Sequence, residues 1–361
     1  MHARGPSNHG GSTRVTVTES TGPGPRFTVS TVIPTYNRAA LLARAIRSAV
    51  AECEPGDEVI VVDDGSTDDT EAIVREWGPP VRYLRAAHGG AGAARNAGVR
   101  AATGDLVAFL DSDDVWVSGK LSWQRAVMEH RPDILYLFSD FGSIMPSGER
   151  QHHRLSSSCD ESRVRGALSG AAWPSDRIPE LPSPAPHFGL RVGRLYETYI
   201  RDWCVFTCTV IVRREHAGEA LHFPEDVPTY EDVECFARLA RRGLAGYMDC
   251  ETAWQDKHSG PRLTDADATT NADTAMRIIN RVWGADADYL RHHRDEFEVV
   301  LDAHRTRRVR SLLRRGCTKE ARRELPEFFR IPWALAALCY APGSLLRFAA
   351  ETRDSWRRAS T

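Results

Sequence analysis

Three carboxylates fall within four consecutive positions of AFLDSDDVW, residues 108–116. Asp111, Asp113 and Asp114 follow directly on an apolar run, Val107 to Leu110, and repel one another unless water or a cation neutralises them. The stretch is therefore either a solvated turn or a metal-binding edge. Carboxylates separated by one residue can both reach a hard divalent cation, which prefers oxygen ligands and leaves positions for water and phosphate oxygens. Asp is equally at home in turns and helix caps, so this motif alone leaves both readings open. A second acidic pair, Asp63 and Asp64 in VVDDGSTDDT, ends another apolar run. A third candidate is HGGAGAARNAG, residues 88–98. Gly89, Gly90 and Gly92 permit close backbone approach, and Arg95 and Asn96 fall on the opening turn of a helix, where an anion is favoured. The Gly-Lys-Ser/Thr ending of a P-loop is missing, and so is GxGxxG.

Short apolar runs alternating with amphipathic segments must position these groups. FTVSTVIP, DEVIVVDD, VRYLRA and GDLVAFLD read as strands; RAALLARAIRSAV, STDDTEAIVREWG and GAGAARNAGVRAAT read as the helices between them. This β-α-β-α-β-α-β order predicts a mostly parallel sheet with helices on both faces, and ligands in such sheets bind beyond the carboxyl ends of the strands. Polar clusters end three of the four strands: Thr35 to Arg38, Asp63 to Ser66 and Asp111 to Asp114. A helix over 119–129 and the strand DILYLFSD follow. Residues 142–190, rich in Pro, Ser and Gly, then read as a long loop that is functional or disordered. CVFTCTVIVRRE reads as a strand, and YEDVECFARLARRG as a helix ending at Gly243.

The formal charge of −2 argues against wholesale coating of nucleic acid. Eight cysteines are scattered without a CxxC pair, which fits reduced thiols in a cytosolic protein; Cys204, Cys208 and Cys235 read as buried thiols rather than a metal cluster. Residues 1–26 lack the apolar core of a secretory signal and read as a disordered tail.

Together, VSTVIPTYNR, VIVVDDGSTDDT, GAGAARNAG, GDLVAFLDSDD and YEDVECFARLARRG resemble family 2 glycosyltransferases in order and spacing. The resemblance spans roughly residues 27–260 and implies an α/β fold of the GT-A, Rossmann-like type, a mostly parallel sheet flanked by helices with a C-terminal helical extension. It implies a domain over 27–265, divided into a nucleotide-binding half (27–115) and an acceptor-binding half (116–265), followed by the extension at 266–361. By that resemblance Pro34, Thr35, Tyr36 and Arg38 border a nucleotide, Asp63 and Asp64 contact base and ribose, and Arg95 faces the nucleotide or its phosphates. Asp111 lies near the ribose with Ser112 beside it, Asp113 and His258 hold Mg or Mn, and Glu231 and Asp232 supply the general base, Asp232 being preferred. The implied activity is inverting, metal-dependent transfer of a sugar from a nucleotide donor, by default a uridine diphosphate sugar, to a glycan, lipid-linked or small acceptor, in the cytoplasm.

Two departures bear on the acceptor side. The family's usual Gly before the acidic pair is Tyr230, and its Gly-Gly-Phe-Asp turn is reduced to AGEALHFPEDV. Trp173, His187 and Trp203 could stack on an acceptor sugar or merely pack. A nucleotidyltransferase should show a glycine-rich basic loop after the first strand, where PTYNR stands, and the intact acids count against a degenerate nucleotide-sugar-binding protein. From about 270 the chain reads as helical. Residues 305–330 hold ten Lys/Arg against three Glu, which reads as a solvated helix face or as adhesion to an anionic membrane at the inner face of the cell membrane. IPWALAALCYAPGSLLRFAA, broken by Pro342 and Gly343, reads as two short helices rather than a membrane span.

Overall fold

The computed structural model describes residues 26–168, 172–258, 260 and 266–342. All but the last residue of the expected N-terminal tail, and the apolar stretch beyond residue 342, lie outside the described residues. Strands are β1 Val29–Thr35, β2 Glu58–Asp63, β3 Val81–Arg85, β4 Leu106–Phe109, β5 Val115–Trp116, β6 Ile134–Ile144, β7 Arg150–Gln151, β8 Trp173–Pro174, β9 Gly189–Gly193, β10 Ile211–Arg213 and β11 Leu244–Asp256. Helices are α1 Ala39–Val50, α2 Thr70–Arg75, α3 Gly90–Ala101, α4 Lys120–His130, α5 Leu155–Ser158, α6 Glu161–Ala167, α7 Tyr196–Tyr199, α8 Arg214–Ala217, α9 Glu231–Arg242, α10 Ala268–Ile279, α11 Ala287–Arg314, α12 Thr318–Glu324 and α13 Trp333–Cys339.

One mixed sheet runs β3-β2-β1-β4-β10-β6-β11-β9-β8, with β5 paired to β11 and β7 to β6. Strands β1 to β4 pair in parallel, and every residue of β1, β2 and β4 is buried, as expected of strands covered on both faces. Strand β10 is antiparallel to both β4 and β6, and β11 is parallel to β6. Two reversals restore direction, so β1, β2, β4, β6 and β11 all present their carboxyl ends on one edge. That edge gathers residues 35–38, 63–66, 111–114 and 256–258.

Helix α1 buries Leu42, Ala45, Ile46 and Ala49, one apolar stripe at helical spacing. The glycines of α3 leave out side chains where neighbours press. A Cβ on Gly98 would sit 2.3 Å from Val32, and one on Gly92 would sit 2.6 Å from the Pro224 carbonyl oxygen. The small-residue pattern of α3 thus serves packing as well as turn formation.

Three expectations differ from the structure. CVFTCTV is not a strand: Thr207–Thr209 forms a 3-10 turn, and only Ile211–Arg213 pairs. Tertiary contacts override its β propensity, since the turn lets the Cys208 carbonyl accept the Trp116 indole N–H at 2.9 Å. The stretch 142–190 is not one loop but holds the end of β6, then β7, α5, α6, β8 and the start of β9. Within the helical extension, packing divides the chain further along than residue 266. Ile278, Ile279, Trp283, Phe297 and Leu301 belong to the main core, while Val309, Leu312, Leu313, Ala321, Leu325 and Leu335 build a separate small core. Among the described residues no helix is long and apolar enough to cross a membrane.

Candidate active site

The loops after β1 and β2 are tied together before any ligand is considered. Asn37 donates its backbone N–H to Ser66 Oγ at 2.9 Å, and Thr67 N–H returns to Asn37 Oδ1 at 2.8 Å. Pro34 and Thr35 are buried at the end of β1. Tyr36 stands out, half-exposed, with its ring stacked on His88 at 4.3 Å. Asp63 is fully buried and accepts from Tyr83 Oη at 2.6 Å and from Ser66 N–H at 2.7 Å. Asp64 accepts the N–H groups of Gly89 and Gly90 at 2.8 and 2.9 Å. The positive N-terminal end of α3 is thereby complemented by a protein carboxylate. Both aspartates hold loops at the ligand edge, and neither carboxylate is turned away from the protein.

Asp111 is held from two sides, by Arg95 Nη2 at 2.7 Å and by Thr207 Oγ1 at 2.6 Å. Thr207 was hidden in what the sequence offers as a strand; only the turn at 207–209 brings it to the site. Arg95 is buried, and its Nη1 donates to Glu231 Oε1 at 2.5 Å. One guanidinium thus bridges the DxD edge to the acid pair at the start of α9, and the two carboxylates hold its pKa well above the usual arginine value against the opposing effect of burial. The resemblance implies an Arg95 facing phosphates; here both terminal nitrogens are engaged by carboxylates. Asn96 secures the same junction, donating to the Phe223 carbonyl at 2.7 Å and accepting the Phe223 N–H at 2.9 Å.

Asp232 is half-buried beside this bridge, its Oδ1 accepting the Val233 N–H at 2.9 Å. Burial first and Glu231 second push its carboxyl pKa up to about 7, with Arg95 pulling the other way. A carboxyl titrating near neutrality is suited to taking a proton from a hydroxyl. Tyr230, where the family has glycine, adopts φ 62° and ψ 23°, the left-handed region. Glycine enters that region freely, whereas another residue is destabilised there by roughly 1–2 kcal/mol. Tyr230 thus holds a backbone conformation that glycine would adopt without strain.

Asp113 and His258 meet across the edge, Asp113 Oδ2 lying 3.0 Å from His258 Nε2. Arg38 Nη1 approaches both, at 3.3 Å from Asp113 Oδ2 and 2.6 Å from His258 Nε2. His258 Nδ1 accepts the Gly260 N–H at 3.0 Å, which leaves Nε2 facing Asp113 and Arg38. Arg44 Nη2 adds positive charge, 2.6 Å from Asp256 Oδ2 and 3.4 Å from the Asp113 carbonyl. Among the described residues no group of three or more His, Cys, Asp or Glu side chains converges to hold a metal. Asp113 and His258, 3.0 Å apart, would offer a divalent ion one carboxylate oxygen and one imidazole nitrogen.

Asp114 has a different job. It is buried and accepts the Asp256 N–H at 3.2 Å, bracing the end of β11 against the DxD turn. Burial, then Asp111 and Asp113, push its pKa far above the carboxylate range. Ser112 is buried in the turn. Of the aromatic residues offered for an acceptor, Trp173 lies on β8 with Arg131 over its ring at 5.4 Å, and Trp203 packs on Tyr230 at 5.0 Å. His187 lines a cavity of about 350 Å³ with Asp176, Phe188 and Asp249. Cys204, Cys208 and Cys235 are free and buried.

Residues 30–178 match the family model described as Glycosyl transferase family 2. Over that segment the chain is similar to family 2 glycosyltransferases. The curated relatives that match are longer than the matched region. An uncharacterized glycosyltransferase of Nostoc sp. is 45% identical over 103 residues, 27% of this chain and 31% of that protein, so the chain spans about a third of it. The Escherichia coli UDP-Glc:alpha-D-GlcNAc-diphosphoundecaprenol beta-1,3-glucosyltransferase WfgD is 35% identical over 120 residues, 33% of this chain and 47% of that protein. Staphylococcus aureus TarS 1–349, solved in complex with UDP-GlcNAc, superposes with a TM-score of 0.56 at 21% identity over 86% of this chain and 83% of that one. At that identity the likeness establishes the GT-A fold. The family 2 match ends at residue 178, so Thr207, Glu231, Asp232 and His258 are reached through the structure, not through the family model.

Proposed function

We propose that this chain is an inverting glycosyltransferase that moves a sugar from a nucleoside diphosphate donor, by default a uridine diphosphate sugar, to a hydroxyl of a glycan, a lipid-linked glycan or a small acceptor. The observation that carries this reading is the Arg95 bridge, which joins Asp111 on the donor edge to Glu231 beside Asp232, a carboxyl titrating near pH 7. Asp232 accepts the acceptor's proton as its oxygen attacks the anomeric carbon. The new C–O bond forms as the bond from that carbon to the diphosphate oxygen breaks, and the electron pair leaves on the diphosphate. One displacement inverts the anomeric centre. The exposed Tyr36–His88 stack offers a flat surface for a base, and Arg38 and Arg44 place positive charge beside Asp113. Mg or Mn would be held by Asp113 and His258 and, when bound, neutralises charge on the leaving diphosphate.

The binding half of this reading is tested by titrating a panel of nucleoside diphosphate sugars in the presence of Mn. The parent should bind at least one of them, and Asp113→Ala should bind it about tenfold or more weakly. Equal affinity in parent and variant contradicts the assignment of Asp113.

A peripheral, membrane-facing site of action in the cytoplasm is part of the proposal. Its support is an exposed apolar set, Phe329, Ile331, Trp333, Leu338 and Tyr340, close in sequence to the exposed Arg314, Arg315, Lys319, Arg323 and Arg330. The protein should sediment with phosphatidylglycerol-containing vesicles and not with purely zwitterionic ones, and Trp333→Ser should lower the bound fraction. Equal binding to both vesicle types, or to neither, overturns the proposal.

A further inference from the structure

Asp232 sits at the start of α9, directly after Tyr230, and its direction depends on how Tyr230 turns the chain. Non-glycine residues hold a left-handed conformation only where their surroundings over-determine it, and such positions gather at functional sites. The surroundings here come in large part from the helical extension. The Tyr230 ring packs on Trp203 with centroids 5.0 Å apart, and the same indole stacks on His304 of α11 at 5.6 Å and 14°. His304 is buried, and burial, with Arg307 as the lesser cause, pushes its pKa down to about 4, so the stack is uncharged at neutral pH. Trp203 Nε1 is buried with no hydrogen-bond partner among the described residues, so stacking and packing rather than a hydrogen bond hold the indole.

Other contacts from α10 and the turn that follows it grip the same segment. Asn271 Oδ1 accepts from Thr229 Oγ1 at 3.2 Å, Arg277 donates to the Asp226 carbonyl at 2.9 Å, and Arg281 pairs with Asp226 and with Glu234 of α9. Residues 223–234 are thus clamped by Arg95 and Asn96 on the sheet side and by residues 271–304 on the other.

We infer that the extension is a working part of the catalytic centre: through His304 and Trp203 it holds Tyr230 in the left-handed turn that aims Asp232 at the acceptor. Trp203, Tyr230 and His304 are positioning residues in this account, which rests on Asp232 as the base. The role differs from simple scaffolding in one respect. Glycine at 230 takes the left-handed conformation without a ring to hold it, so it should remove the need for the stack.

The test compares kcat, acceptor KM and donor affinity in the full-length protein for Trp203→Leu, His304→Leu, Tyr230→Gly and the Trp203→Leu/Tyr230→Gly pair. Trp203→Leu should lower kcat by about 10- to 100-fold, with donor affinity close to the parent's. Tyr230→Gly in that background should restore kcat to within about threefold of the parent. His304→Leu, which keeps an apolar neighbour against the indole, should show a smaller loss of kcat and supplies the reading if Trp203→Leu does not fold. Parent-like kcat in whichever of these two folds, or a folded double variant with no recovery, overturns the inference. Parent-like transfer by Asp232→Asn would instead sink the base assignment itself, so the two failures are told apart.

Discussion

Replacing Asp232 by Asn is expected to leave nucleotide-sugar binding close to the parent's and to lower glycosyl transfer by about 10²- to 10⁴-fold, the span contributed by a positioned general base. The residue is half-buried beside Glu231, and the resulting rise of its pKa to about 7 sets the pH dependence. The base must be ionised to act. Parent transfer should therefore fall as pH drops through about 7 and level off above it, and this limb should vanish from the residual rate of Asp232→Asn. Initial rates across that range, with donor affinity measured separately, check both parts. Transfer by Asp232→Asn at the parent's rate would remove the proposed base.

Arg95→Met is expected to be the most disruptive single change at the site. It removes the side chain that bridges Asp111 and Glu231, and leaves Asp111, Glu231 and Asp232 as neighbours without their buried cation. Breaking a buried pair in this way typically destabilises a fold by about 3–5 kcal/mol, read as a lower denaturation midpoint. Arg95 also acts to lower the Asp232 pKa, so its loss should move the acid limb of transfer to higher pH. A guanidinium whose work was to contact phosphates would behave differently: its loss would weaken donor binding and leave both the pH profile and the stability nearly unchanged. The two roles are therefore separated by three readings on one variant.

The parallel half of the fold is legible in the sequence because strands covered on both faces read as continuous apolar runs, and the polar residues that end them mark the ligand edge. Asp111 and Asp113 stand where that reading puts them, after β4. Partnership is less legible. Nothing local distinguishes Asp63 and Asp64, whose carboxylates fasten neighbouring loops, from aspartates that face a ligand. The partner of Arg95 lies 136 residues away, and Thr207 is disguised by a β-branched neighbourhood that folds into a turn. Gly92 reads as part of an anion-binding turn in sequence, but its position, like that of Gly98, is demanded by neighbours pressing on α3, Pro224 and Val32 respectively. The boundary of the helical extension is obscured for a related reason: its first helices have apolar faces that complete the main core, and only the later, basic part packs by itself.

The central claim is that this edge binds a nucleoside diphosphate sugar and releases the diphosphate with Asp113 in attendance. It is tested most directly by measuring nucleoside diphosphate release from a panel of nucleotide sugars, with Mn present, for the parent and for Asp113→Ala. The account predicts release from at least one donor by the parent and its loss in the variant. No release from any donor, or release by Asp113→Ala at the parent's rate, would contradict it.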